Sequence, residues 1–173
     1  MKIDEIPPLM RRLRRGPIHV SDGETRVDGE RDVVERVLPH RDPFLFVDKI
    51  VAFHPTEKTL VAERLVAADD PIFKGHFPTF PVFPAALQIE AIGQACLCLW
   101  AFAENEGGGT DLGLRVTKVE HAMFMAPVRP GDLMSLQTML VYADDLVVEA
   151  AGQVWVGDNL TAILIIKVSI VDG

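Results

Sequence analysis

The stretch Phe73–Ala103, FKGHFPTFPVFPAALQIEAIGQACLCLWAFA, constrains this chain more than any other. It opens as a loop crowded with proline and aromatic residues around His76. It then runs for about twenty residues with Gly93 as its one helix breaker. An amphipathic surface helix is polar along one side, whereas this segment is apolar nearly all round and reads as a helix buried in a core. Gln88, Glu90 and Gln94 interrupt it and no flanking anchors frame it, so a membrane span is not expected.

Glu90 is the exception on that helix. A carboxylate on an apolar surface loses several kcal/mol of hydration, roughly, unless it is paired, protonated or open to a cavity. Gln94 lies one turn on and on the same face, within reach of a hydrogen bond. His76 precedes Glu90 by fourteen residues, across a proline-fixed loop. A base and an acid are therefore offered to one apolar region.

These residues sit in recognisable motifs. GHFPTFPVFP (Gly75–Pro84), followed by Glu90 and then AIGQ, closely resembles the 3-hydroxyacyl-carrier-protein dehydratases of fatty acid synthesis, the FabZ/FabA family. LPHRDPFLFVDKI (Leu38–Ile50) resembles their N-terminal signature, and PVRPGD (Pro127–Asp132) a third motif. Together these span roughly residues 33 to 170. Glu rather than Asp at position 90 points to the FabZ side. The resemblance implies a hotdog fold in the α+β class: a long buried helix wrapped by a curled antiparallel sheet.

It also implies a chemistry. Dehydration removes a C2 proton and expels the C3 hydroxyl as water, so a base and an acid must act together. His76 is the expected base, having a side chain that titrates near neutrality. Glu90 is the expected acid, provided burial keeps it protonated. The helix N-terminus offers free N–H groups and a positive dipole end to the thioester oxygen. By resemblance the donor is the Ala85 amide, and the Val82 carbonyl holds the His76 ring. Phe77, Phe83 and Phe124 are expected along the acyl tunnel, and His40 is expected to be structural, with Arg41 and Asp48 as neighbours. No cofactor is implied. The implied partners are an acyl carrier protein bearing the substrate and a second copy of the chain, in a homodimer or dimer of dimers whose site takes His from one chain and Glu from the other.

The sequence departs from the family pattern at several positions. Thr79 and Ala85 stand where glycine is usual, and Asp42 where tyrosine is frequent. Phe80, Met125 and Ala126 occupy positions that tend to be basic at the mouth. One expectation is that the block Arg11, Arg12, Arg14 and Arg15 replaces the lost carrier-docking patch; the plainer one is a solvated arm. The setting is fatty acid synthesis or a specialised polyketide or polyene pathway. Two other readings stand beside dehydration: a hotdog thioesterase in which Glu90 activates water, and a noncatalytic acyl-thioester-binding module.

Composition narrows the rest. The net charge is −8 and 7% of residues are aromatic, which argues against nucleic-acid binding. No glycine motif for phosphate is present. Cys96 and Cys98 are two apart on the helix, point to nearly opposite sides and cannot pair with each other. Buried free thiols and a cytoplasmic setting are expected. No metal is expected, since no ligand cluster accompanies the cysteines, nor is a signal peptide at the charged N-terminus.

Two regions are expected. Residues 1–32, punctuated by Pro7-Pro8, Gly16-Pro17, Gly23 and Gly29, read as a partly flexible extension with little hydrophobic periodicity. It carries seven basic and seven acidic residues, so the whole −8 belongs to residues 33–173. In that second region Asp32–Val37 is expected as a short helix, ended before Pro39. The long helix is expected to start at Pro84 and to fade by Glu106, ahead of a break at Gly107–Gly109. About six strands are expected: Phe44–Phe53, Thr59–Val66, Leu114–Ala126, Leu133–Val141, Leu146–Val156 and Leu160–Val171. The short links among the last four suggest an antiparallel meander.

Overall fold

The structure, a computed structural model, describes residues 5–18, 23–105 and 114–170. The expected break at Gly107–Gly109 and the end of the last strand at Val171 lie outside them, as does His19. In chain order the elements are α1 (Ile6–Leu13), β1 (Thr25–Gly29), α2 (Arg31–Val37), β2 (Lys49–His54), β3 (Thr59–Leu65), a 3-10 turn (Pro71–Lys74), α3 (Ala85–Asn105), β4 (Leu114–Phe124), β5 (Leu133–Ala143), β6 (Val147–Val156) and β7 (Asn159–Ile170). The strands form one antiparallel sheet of seven in the order β1-β2-β3-β5-β6-β7-β4.

The sheet curls round α3. Ala91, Ile92, Ala95, Cys98, Leu99 and Ala101 on the helix meet Leu60, Ala62, Leu136, Ala150, Val154 and Leu164 on the strands, all nearly inaccessible to solvent. Small residues let the helix approach closely. At Gly152 a β-carbon would stand 2.2 Å from Ile92 Cγ2, so the strand passes the helix without a side chain there. Cys96 and Cys98 are free and buried. Burial alone pushes the Cys96 thiol up to about 12; burial first, and then the neighbouring Cys96, raise Cys98 as well.

One stripe of α3 is less well covered. Ile89, Glu90, Gly93, Leu97 and Trp100 follow helical spacing and are only partly buried, whereas their neighbours on either side are shielded. The helix is long and apolar enough to cross a membrane by length and composition, yet half of the residues in that window are buried by the rest of the chain.

Three expectations are corrected. The strand expected over Phe44–Phe53 begins only at Lys49. Ahead of it the backbone is spent on a side chain of α3: Phe46 N–H donates to Gln94 Oε1, and Phe44 O accepts from Gln94 Nε2. β4 and β5 do not form a hairpin. The link between them is tied down instead, with Val128 O accepting from Phe83 N–H at 2.7 Å and Val66 O from Gly131 N–H at 2.7 Å. β4 therefore goes to the far edge of the sheet, beside β7.

The third correction concerns the N-terminal segment, which adds a helix and a seventh strand to the sheet. β1 pairs with β2. Ile6, Leu9, Met10 and Leu13 stand at i, i+3, i+4 and i+7, and α1 uses them to cover Ala151, Ile163 and Ile165. In β6 and β7 these residues alternate with those that face α3, so α1 and α3 lie on opposite faces of the sheet.

Gly152→Ala is expected to cost about 1–3 kcal/mol, because the added methyl must displace Ile92 or the strand. Thermal unfolding measures this. Adding Ile92→Ala should make the double variant lose less than the sum of the two single variants; strict additivity would show that the two residues are not in contact.

Candidate active site

The loop after the 3-10 turn presents His76. Asp70 caps that turn by accepting from Ile72 N–H at 2.9 Å, and His76 N–H closes on Ile72 O at 2.9 Å. The next residue, Phe77, takes a left-handed backbone with φ 57°, a costly conformation for a bulky residue. Its carbonyl accepts from Phe80 N–H at 2.8 Å, and its ring stacks on the imidazole with centroids 4.3 Å apart. His76 Nδ1 lies 2.9 Å from Val82 O. With its hydrogen there, Nε2 carries the lone pair and is free to act as a base.

His76 opens on a cleft of about 450 Å³ lined by Phe77, Val82, Phe83, Ala85, Gln88 and Phe124, with Met125, Ala126 and Pro127 at its rim. Phe83 is buried in the core, while Phe77 and Phe124 are 58% and 42% exposed. Pro84 O accepts the first helical bonds, from Leu87 and Gln88 N–H. The Ala85 amide thus falls in the first turn, where no intrahelical acceptor exists, and Ala85 lines the cleft. A thioester oxygen placed there would meet the positive end of α3.

Glu90 is not among the residues lining that cleft. It follows Gln88 by two residues, roughly 200° round the helix, and belongs to the less covered stripe of α3. Its side chain is 32% exposed, so one chain alone does not supply the burial expected of it. Gln94 Nε2 donates to Glu90 Oε1 at 2.8 Å and to Phe44 O at 2.9 Å, while Gln94 Oε1 accepts from Phe46 N–H at 2.8 Å. The Gln94 amide is nearly inaccessible and has no freedom to turn.

The sequence reading did not anticipate two side chains here. His40, expected beside Arg41 and Asp48, instead places Nε2 3.5 Å from Glu90 Oε1. The Arg41 guanidinium reaches backbone carbonyls, among them that of His40, and Asp48 pairs with Arg64. The motif LPHR was a signal, but nothing in linear sequence brings residue 40 to residue 90. Arg129 is the other. It is exposed and stands 5.1 Å over the Phe80 ring, two residues beyond Pro127 of the cleft rim. The Arg11–Arg15 block is elsewhere, on α1 and just after it. Arg11 and Arg14 line a separate hollow with Lys118 and Glu120 of β4, on the outer face of the sheet. Asp42, at a departure from the family pattern, pairs with Arg31 at 2.8 Å. No group of three or more metal-ligating side chains is found among the described residues.

A family profile described as FabA-like domain matches residues 38–164. The chain belongs to this family. Among curated proteins it is 38% identical over 129 residues to the 3-hydroxyacyl-[acyl-carrier-protein] dehydratase FabZ of Alkalilimnicola ehrlichii, covering 75% of this chain and 83% of that one. A FabZ of Campylobacter concisus is 36% identical over 147 residues, covering 82% and 98%. Solved structures share the fold at lower identity. The dehydratase heterocomplex ApeI:P of Xenorhabdus doucetiae superposes with a TM-score of 0.63 at 16% identity, over 80% of this chain and 91% of that chain. The PaaI protein of E. coli superposes with a TM-score of 0.54, also at 16% identity, over 72% and 80%. The FabA-like match runs from ahead of β2 into β7, with α3 and both halves of the site; α1, β1 and α2 precede it.

Gln94→Leu should strand the Phe46 amide and release Glu90. The expected loss is about 1–3 kcal/mol of stability from the unpaired backbone group, read as a lowered Tm. An unchanged Tm would mean that the amide finds another partner and that Gln94 is not the clamp described.

Proposed function

We propose that this chain is a 3-hydroxyacyl-[acyl-carrier-protein] dehydratase of fatty acid synthesis, working as a homodimer with shared sites. One observation carries the reading. His76 has its Nδ1 fixed by Val82 O and its Nε2 free in a cleft at the N-terminus of α3, while the carboxyl that the chemistry needs stands on another face of the same helix. A second copy would bring its Glu90 to the first copy's His76, and the reverse, giving two complete sites from two half-sites. The partly exposed stripe around Glu90 and the exposed Phe77, Phe80, Phe124 and Met125 are the apolar surface such a pairing would cover.

In the reaction, His76 Nε2 takes the C2 proton of the (3R)-3-hydroxyacyl thioester. The C2–H electron pair becomes the C2=C3 bond, and the C3–O bond breaks as the hydroxyl takes the proton of Glu90 and leaves as water. Charge gathering on the thioester oxygen meets the Ala85 amide. The apolar cleft wall of Phe77, Phe83 and Phe124 receives the acyl chain. The product is a trans-2-enoyl thioester; release of a free thiol instead would favour the thioesterase reading.

His76→Ala and Glu90→Gln should each lower kcat by orders of magnitude, a general acid or base being worth roughly 100- to 10,000-fold. Mixing and re-associating the two inactive variants should restore activity to about a quarter of wild type, since half of the random pairs hold one intact shared site. No recovery in verified mixed dimers would refute the shared site.

Two cationic surfaces compete for the acidic carrier. Arg129 is favoured by following Pro127 of the cleft rim by two residues and by its contact with Phe80 of the His76 loop; the Arg11–Arg15 block is favoured only by its charge. Arg129→Glu should raise KM several-fold for carrier-bound substrate and leave a pantetheine thioester unaffected, with the effect shrinking as salt rises. If removal of residues 1–32 has that effect and Arg129→Glu does not, the arginine block is the docking surface.

A further inference from the structure

Glu90 carries two oxygens, and the structure treats them differently. Oε1 receives the Gln94 amide at 2.8 Å and faces His40 Nε2 at 3.5 Å. The second distance is long for a hydrogen bond, and a small turn of either side chain would bring the pair within range. The other ring nitrogen, His40 Nδ1, is buried and has no hydrogen-bond partner among the described residues. A hydrogen on Nδ1 would be an orphaned buried donor, which folded proteins avoid more strictly than an unused acceptor. That places the ring hydrogen on Nε2, the nitrogen that stands beside Glu90 Oε1.

The surroundings do not offer His40 another charge. On α2, Arg31 pairs with Glu35 at 2.7 Å and with Asp42 at 2.8 Å. Arg41, on the histidine's own loop, holds the carbonyls of Leu38, His40 and Glu35 and approaches Glu35 at 3.9 Å. From α3 the one ionisable group within reach is Glu90. The loop is thus held by its backbone, and the imidazole is left to the carboxyl.

We propose that His40 is a positioning residue for Glu90: with Gln94 it supplies hydrogen-bond donors to Oε1, so that the acidic proton resides on Oε2, the oxygen left for the substrate hydroxyl. This rests on the dehydratase reading above. A carboxylic acid with both donors on one oxygen has a single place for its proton and need not rotate before transfer. Without His40 the carboxyl can turn, and part of the population points its proton away from the hydroxyl.

The test uses the full-length protein and a short (3R)-3-hydroxyacyl pantetheine thioester, which bypasses carrier docking. Wild type should form the enoyl thioester; if it does not, the dehydratase reading falls and this inference with it. Given an active wild type, His40→Leu should lower kcat about 10- to 100-fold, part of what a general acid contributes, with KM changed by less than about 2-fold. Loss of the donor disfavours the carboxylate, so the alkaline limb of the kcat profile should move to higher pH in this variant. His40→Gln, which returns an N–H to that region, should recover most of kcat. A His40→Leu protein with wild-type kcat and an unmoved limb overturns the proposal, as does a Gln variant no better than Leu. Should Leu fail to fold, nitrogen-15 spectra of the wild-type ring decide: hydrogen on Nε2 alone supports the proposal, and hydrogen on Nδ1, alone or with Nε2, overturns it.

Discussion

The Gln94 amide is the interaction on which the site depends. It is almost wholly shielded, and its three hydrogen bonds join pieces of chain that lie about fifty residues apart: Phe44 and Phe46 before the sheet, and Glu90 on α3. A buried amide is costly unless satisfied and strongly orienting when it is. Here it fixes the approach of the loop Leu38–Asp48 to the helix. That loop brings His40, so one buried side chain determines both the rotamer of the carboxyl and the second group that meets it. The same bonds explain why Phe44–Phe46, rich in β-forming residues, does not join the sheet: its backbone is already engaged with α3.

Much of this was legible from residue types at short range. The apolar run Ala85–Ala103, the proline before it and the i, i+4 pairing of Glu90 with Gln94 follow from helical geometry and the cost of burying a charge. The alternation in β3 and the turn residues that separate β5, β6 and β7 mark the sheet. What was missed is of two kinds. The α1 stripe Ile6, Leu9, Met10 and Leu13 has plain helical spacing, but the prolines and the arginine block drew attention from it; Pro7 and Pro8 fall in the first turn, where proline is tolerated. The contact of His40 with Glu90 and the placing of Arg129 over Phe80 are of the other kind. They depend on how loops fold back across fifty residues, and no local pattern encodes that.

The division of the site across α3 has a physical reason. A helix packed by a curled sheet has its core-facing side committed to Ile92, Ala95 and Leu99. Groups that must reach a substrate can occupy only the flanks. Ala85 and Gln88 take the flank facing His76, and Glu90 with its clamp takes the other. In one chain His76 and Glu90 are therefore set on different sides of α3, and a two-fold arrangement is the simplest way to bring them together. It would also cover the stripe of Ile89, Leu97 and Trp100, which one chain leaves half open.

Pairing would change the electrostatics of the acid as well. Glu90 in the single chain is a third open to solvent, and water stabilises its carboxylate. Covering the stripe removes that water and favours the neutral acid. The hydrogen bonds to Oε1 act in the opposite sense, since donors favour the carboxylate. The two effects are opposed, and a general acid has use for both: a proton to give, and a partner for the charge that giving it leaves. On the proposed chemistry His40 and Gln94 would therefore do more than hold an orientation: they would also stabilise the carboxylate that proton transfer leaves behind.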